Sequence, residues 1–280
     1  MATKKSSTRI KSKAVNAKVT KQTGLNKDVH QQLHWLHTVS FLAFGLWAVI
    51  AGAVIKTTQF TLNVSYLTKD ELASQKTTIF ASALRHVCDV DLRWLLVGIL
   101  VLSMIIPLLT VTKLHNKYHD MLKARVQSLR WIDFAVTGAL LVELVALLSG
   151  FNDILTLKLI AGVVAAAYLM GWFTERETKS KGSSSWLPFS LGLIIGGLAW
   201  AVIGTSLAYN YVYGLTRLPW YVYASAGAAL AGNLLMAVNQ YGQLKGLRAW
   251  RDYMVVERNY LAINLISKIA VASILIVGLR

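Results

Sequence analysis

The sequence predicts an all-α membrane protein: one bundle of seven membrane-spanning helices, with a short β-hairpin between the first and the second. Three observations carry that prediction. Hydrophobic residues make up 55% of the 280-residue chain. They gather into seven runs, at about 33–55, 94–114, 129–149, 154–173, 187–209, 219–241 and 260–279, each close to the roughly 20 residues a helix needs to cross a bilayer. Such runs are about twice the length of barrel strands, and backbone polar groups in lipid must be satisfied within the segment, so the spans are helices. The chain divides into a tail, 1–29, and a seven-helix domain, 30–280, that includes a long 56–92 connection.

The tail is polar and Lys-rich, with Asp28 its only acid. It is expected to be disordered and drawn to anionic headgroups. Most of the 29 lysines and arginines lie on its side of the bundle, in the tail itself, at Lys113, Lys117, Lys123, Arg125 and Arg130, at Arg176, Lys179 and Lys181, and at Lys245, Arg248, Arg251 and Arg258. The other side carries Lys56, Lys69, Lys76, Arg85, Arg93, Lys158, Arg217 and Arg280. That bias predicts a cytoplasmic N-terminus and an extracellular C-terminus. It also accounts for much of the +16 net charge without a nucleic-acid partner.

In the 56–92 connection, Gln59 to Thr68 alternates apolar and polar residues with the period of a strand. Thr77 to Val87 is its expected partner, with Lys69-Asp70-Glu71 at the turn. The reading is an extracellular two-stranded flap that caps the bundle or meets a second protomer. Span 2 contains Pro107, which should kink it. Pro188 and Pro219 open spans 5 and 6, where a missing N–H does no harm. Gly192, Gly196 and Trp200 form a stripe on span 5 that serves either close helix packing or a bulky ligand.

Three ionisable residues lie well inside the spans: Asp133, Glu143 and Lys268. A bare ammonium at mid-bilayer costs about 2.5–3.5 kcal/mol on insertion scales, so Lys268 needs a partner or a chemical role. Asp133 lies in the same half of the bilayer and is the expected partner. One reading is a structural Lys–Asp ion pair between spans 3 and 7. The other converts the amine to an imine with a carbonyl ligand, with Asp133 holding the charge of the protonated form. The aromatic and amide supply around the pair, namely Trp131, Phe134, Trp200, Tyr221, Tyr223, Asn233 and Asn264, favours a polyene slot. Glu143 lies ten residues beyond Asp133 and about 80° around the helix. It is either a neutral buried acid or part of a proton path. His37, one turn inside span 1 from His34, is placed to accept a proton from the Asp133 side. Cys88 stands alone, and His86 beside it lacks partners at metal-ligand spacing. No hydrolytic or metal-binding arrangement is recognisable, so no enzyme activity is expected.

The chain resembles the heliorhodopsins, the inverted-topology branch of microbial retinal proteins. The likeness lies in an ordered set of residues: Arg130-Trp131-Ile132-Asp133, Gly150 with Asp153-Ile154, Gly171-Trp172 with Glu175, Leu187-Pro188-Phe189 before the Gly192-Gly196-Trp200 stripe, Asn233, and Glu257-Arg258 with Tyr260 before Lys268. The resemblance implies a rhodopsin-like bundle with all-trans retinal on Lys268, Asp133 as counterion and His37 in a cytoplasmic-side cavity. Trp131, Phe134, Thr137, Gly138, Trp200, Tyr223, Asn233 and Asn264 complete the expected chromophore set, with Glu143 on a candidate proton path. It also implies a homodimer in the lipid membrane, a slow photocycle and light sensing through an unidentified cytoplasmic partner. Three departures stand out: Asp133 where glutamate is usual, Ile106-Pro107 near a second cavity histidine, and the added acid Glu143. They keep a light-driven or light-gated proton transporter open beside the sensor.

Overall fold

The structure, a computed structural model, describes residues 31–69 and 80–280. The tail, the turn at Asp70-Glu71 and the start of the expected second strand lie outside the described residues. Seven helices are long and apolar enough to cross a membrane: α1 (Gln31–Val54), α2 (Leu92–Val111), α4 (Ser128–Leu148), α5 (Ile154–Lys181), α6 (Trp186–Tyr213), α7 (Trp220–Lys245) and α8 (Tyr253–Gly278). Helix α4 is the centre of the bundle. Its spanning window is 72% buried, against at most 33% for any other, so its side chains face protein on nearly every side. The remaining helices expose leucine, valine and aromatic side chains on their outer faces, as lipid-facing surfaces must.

The expected hairpin is present. Strand β1 (Gln59–Lys69) pairs antiparallel with β2 (Phe80–Asp91), with a bulge between Leu62 and Asn63. Strand β2 runs past the expected end at Val87 to Asp91, which also caps α2, accepting a hydrogen bond from the Arg93 N–H at 3.0 Å. The flap is tied to the bundle by polar contacts. Asn63 N–H donates to the Asn152 carbonyl at 2.8 Å. Asp153 caps α5 through the Thr156 N–H at 2.8 Å and accepts the Ser65 N–H of β1 at 3.0 Å.

Two elements depart from the sequence reading. Residues 113–125, read as a charged junction, contain a short helix, α3 (His115–Ala124), which buries Tyr118 and Leu122 and closes on Arg125 in the left-handed region at φ 55°. Helix α8 starts at Tyr253, seven residues before the apolar run. Asp252 caps it, and Tyr253, Val256, Glu257 and Tyr260 of its first turns are buried in the bundle. Helix α2 continues through Pro107.

The Asp153 carboxyl is held below the ordinary carboxylate range by the hydrogen bonds of Thr156 and Ser65. A depressed native value stabilises the folded state above the unfolded pKa, and the gain is lost as pH falls through the native value. Acidification below about pH 4 should therefore loosen the flap. Asp153→Ala should cost about 1 kcal/mol through the lost cap and speed hydrogen exchange at the Ser65 amide at neutral pH. Asp153→Asn should retain most of the capping and lose the pH dependence.

Candidate functional site

A side chain on a helix leans toward that helix's N-terminus. The Lys268 ammonium therefore reaches from the middle of α8 toward the end of the bundle where α1, α4 and α8 begin. It arrives at Asp133, with Nζ 3.6 Å from Oδ2, while the two residues are only 2% and 5% exposed. Nζ also donates to the Thr137 hydroxyl at 2.5 Å. Asn264, one turn before Lys268 on α8, donates to Asp133 Oδ2 at 3.2 Å. The pair is thus buried and hydrogen-bonded, the condition under which a charge pair survives removal from water.

Helix α4 is locally widened at this point. Phe134 to Gly138 forms a π-helical stretch that starts directly after Asp133. Such bulges mark functional positions in helices. Here the wide turn carries Phe134, Thr137 and Gly138, while the Thr137 hydroxyl stays within 3.1 Å of Asp133 Oδ1. Gly138 leaves room for the Tyr168 ring, which a Cβ at that position would meet at 2.8 Å.

From Lys268 a chain of space leads away between α4, α5, α6 and α7. A small void beside Lys268 is bounded by Gly138, Tyr168, Asn233, Met236, Asn264 and Ser267. Tyr168, Asn233 and Met236 also wall a cavity of about 180 Å³ lined by Trp131, Gly171, Gly192, Gly196 and Trp200. The glycine stripe of α6 therefore opens onto this cavity, where Gly171 lets the Trp131 ring lie against the backbone of α5. A carbonyl-bearing polyene fits this donor set: an amine at one end, a carboxylate beside it, and an apolar aromatic slot beyond.

Of the expected residues, Lys268, Asp133, Thr137 and Asn264 converge on one point. Trp131, Trp200 and Asn233 line the slot, and Gly138 lies at its Lys268 end. Phe134 packs edge-on against Trp131 and tilted against Tyr168 and Tyr260. His37 is 2% exposed and shares a second small cavity with Asp133 and Asn264. Tyr223 lines neither space. Glu143 also lies away from the pair; its carboxylate meets the exposed Lys158 of α5 at 2.8 Å. Phe44 and Tyr168 were not anticipated. Phe44 puts its ring 5.5 Å from Lys268 Nζ, and Tyr168 bonds Asn233 across the slot. Single apolar or aromatic residues in an apolar span carry no signal of their own.

A larger omission is the polar plug between this site and the end of the bundle that carries α3. Arg130 of α4 pairs with Glu175 of α5 at 2.5 Å and with Glu257 of α8, all three within 3% exposure. Trp131 Nε1 donates to Glu175 at 2.9 Å, the Tyr118 hydroxyl to Glu257 at 3.2 Å, and the Tyr253 hydroxyl to Glu175 at 3.3 Å. The Arg130 guanidinium also lies 4.1 Å from the Tyr260 ring centre. In sequence these charges sit at helix ends, where charge is ordinary. Their proximity to Tyr118, Tyr253 and Tyr260 is the clue to burial. Arg130→Leu leaves two carboxylates buried without their cation and should cost about 3–5 kcal/mol, seen as a lower melting temperature in detergent or lipid. The double variant with Glu257→Gln should recover part of the loss.

A family model described as heliorhodopsin matches residues 33–279. No curated protein matches the chain. The match takes in all but the first two residues of the seven-helix bundle, together with Lys268, Asp133, the slot and the plug. The chain belongs to the heliorhodopsin family and is an integral membrane, retinal-binding, light-sensing rhodopsin.

Proposed function

We propose that Lys268 is the attachment point for all-trans retinal and that Asp133 is its counterion. The observation that carries this is the buried ammonium within 3.6 Å of a buried carboxylate, at the mouth of an aromatic slot. Retinal joined to the Lys268 nitrogen would supply visible absorption and a double bond that isomerises in light. The residues around it have separable tasks. Asp133 would balance the positive charge on the nitrogen and is the group placed to accept a proton from it. Thr137 and Asn264 keep the carboxylate turned toward Lys268. Trp131, Trp200 and the glycines of α5 and α6 give the slot its shape and keep water out.

The signal we infer is a rearrangement at the end of the bundle where α3, the plug and the helix 7–8 connection meet, with the N-terminus in the cytoplasm and the flap outside. The charge distribution of the loops supports that orientation, and the proposal includes a homodimer and a cytoplasmic partner. A proton path through Glu143 gains no support from its position, since Glu143 is engaged by Lys158 near the flap end.

Protein produced with all-trans retinal should show a visible band, and Lys268→Ala should remove it. A colourless wild-type protein that folds would leave only the structural ion pair. Asp133→Asn removes the carboxylate beside Nζ. It should shift the band to longer wavelength at neutral pH and abolish the shift that acid produces in the wild type. An Asp133→Asn spectrum identical to wild type across pH would assign the counterion elsewhere.

A further inference from the structure

The slot narrows sharply on its way to Lys268. It measures about 180 Å³, and the void beside Lys268 about 10 Å³. Three side chains wall both spaces, Tyr168 of α5 with Asn233 and Met236 of α7, so they mark the junction between the two. Across it the Tyr168 hydroxyl donates to Asn233 Oδ1. The Asn233 amide is held in that sense, because its Nδ2 donates to the Ala229 carbonyl one turn back at 3.1 Å. Met236 is an adaptable thioether chain that yields to its surroundings. The hydrogen-bonded pair is the firmer part of the wall.

Neither partner has room to retreat with its backbone. The Tyr168 ring lies against Gly138, where a Cβ would meet it at 2.8 Å, and tilts against Phe134 at 5.8 Å between ring centres. Beside Asn233, Gly232 admits the Ser267 side chain so closely that a Cβ there would overlap it. That contact fixes α7 against α8 at this level. The passage therefore widens only by rotation of the Tyr168 or Asn233 side chain, with their hydrogen bond broken. The void beyond is near the lower limit of what one water occupies, enough for the tip of an unbranched chain and far too small for a ring.

We propose that Tyr168 and Asn233 are specificity-determining residues for attachment at Lys268: a hydrogen-bonded filter that passes the carbonyl tip of a thin, unbranched chain and holds a ring-bearing end back in the slot. The inference rests on the reading of Lys268 as the attachment point. It extends that reading from where the ligand is joined to which carbonyl compounds reach the amine. The taper from slot to void sets the direction, with the carbonyl end leading and the bulk remaining between Trp131, Trp200 and the glycines of α6. The hydrogen bond sets the barrier. Opening the pair forfeits a bond between polar groups in apolar surroundings, where no water replaces it.

The test uses retinal-free protein and two aldehyde probes, hexanal for a thin chain and benzaldehyde for a carbonyl borne directly on a ring. Cyanoborohydride reduces each imine to a stable amine, and mass spectrometry measures the adduct at Lys268 against the exposed Lys158. In the wild type the hexanal-to-benzaldehyde ratio should be roughly tenfold higher at Lys268 than at Lys158. Asn233→Ala should bring the Lys268 ratio down toward that of Lys158. Tyr168→Phe keeps the ring and removes the bond. It should speed both the hexanal adduct and the growth of the visible band with all-trans retinal about fivefold, the effect of one net hydrogen bond. An unlabelled Lys268 in the wild type overturns the filter, as do equal ratios at the two lysines or Tyr168→Phe loading no faster than wild type. Selective hexanal labelling of Lys268 without a visible band from retinal would instead refute the retinal assignment and leave the filter standing.

Discussion

One buried charge pair sets the terms for the rest of this bundle. An ammonium in the middle of a lipid-spanning helix is tolerated only where an opposite charge and hydrogen-bond partners meet it. The 3.6 Å approach of Lys268 to Asp133 requires α4 and α8 to be neighbours, and α4 lies at the centre of the bundle. The local widening of α4 begins directly after Asp133, beside this pair. Asp133 and Thr137, four residues apart and linked by a hydrogen bond at 3.1 Å, must both face the Lys268 nitrogen, while Gly138 on the same wide turn yields space to Tyr168.

The plug extends the logic toward the α3 end. Arg130 is one turn before Asp133, and Glu257 is three turns before Lys268, so the same two helices are joined twice. Glu175 brings in α5 as a third. Two carboxylates around one guanidinium leave an excess negative charge if all are ionised, and donors from Tyr118, Tyr253, Trp131 and the Gln127 backbone crowd around those oxygens in response. This arrangement specifies which helices meet and in what register. A hydrophobic plug would pack equally well in several registers, whereas a misaligned guanidinium would leave charges unpaired. Asp133 and Arg130 are one turn apart on α4, so the charge pair and the plug share one rigid stretch of helix.

The sequence made some of this legible and hid the rest for physical reasons. Span number, the flap and the Lys268–Asp133 pair were readable because each violates the background: a run of apolar residues, a strand period in a loop, and an ammonium inside an apolar helix. The Gly192-Gly196-Trp200 stripe was ambiguous on spacing, and its place on the slot depends on which face of α6 meets α5, which is a tertiary fact. Glu257 and Glu175 were hidden because charges at helix ends are normally solvated. The early start of α8 shows why that expectation failed: Asp252 caps the helix beyond the apolar run, drawing Glu257 into a buried turn. Helix α3 was hidden for a related reason. Its Lys and His residues dominate its composition, and only Leu114, Tyr118, Met121 and Leu122 give it an apolar stripe.

Glu143 and His37 show how context changes the meaning of an ionisable residue. Both were candidates for carrying protons. Glu143 is held by Lys158 in a pair whose lysine is exposed, so its charge is compensated near the flap end and is remote from the Lys268 nitrogen. His37 has the opposite surroundings: no hydrogen-bond partner for either nitrogen among the described residues, a carboxylate cavity on one side and imidazoles on the other. An imidazole with both nitrogens free can accept at one and release at the other, which a carboxylate locked in an ion pair does not do.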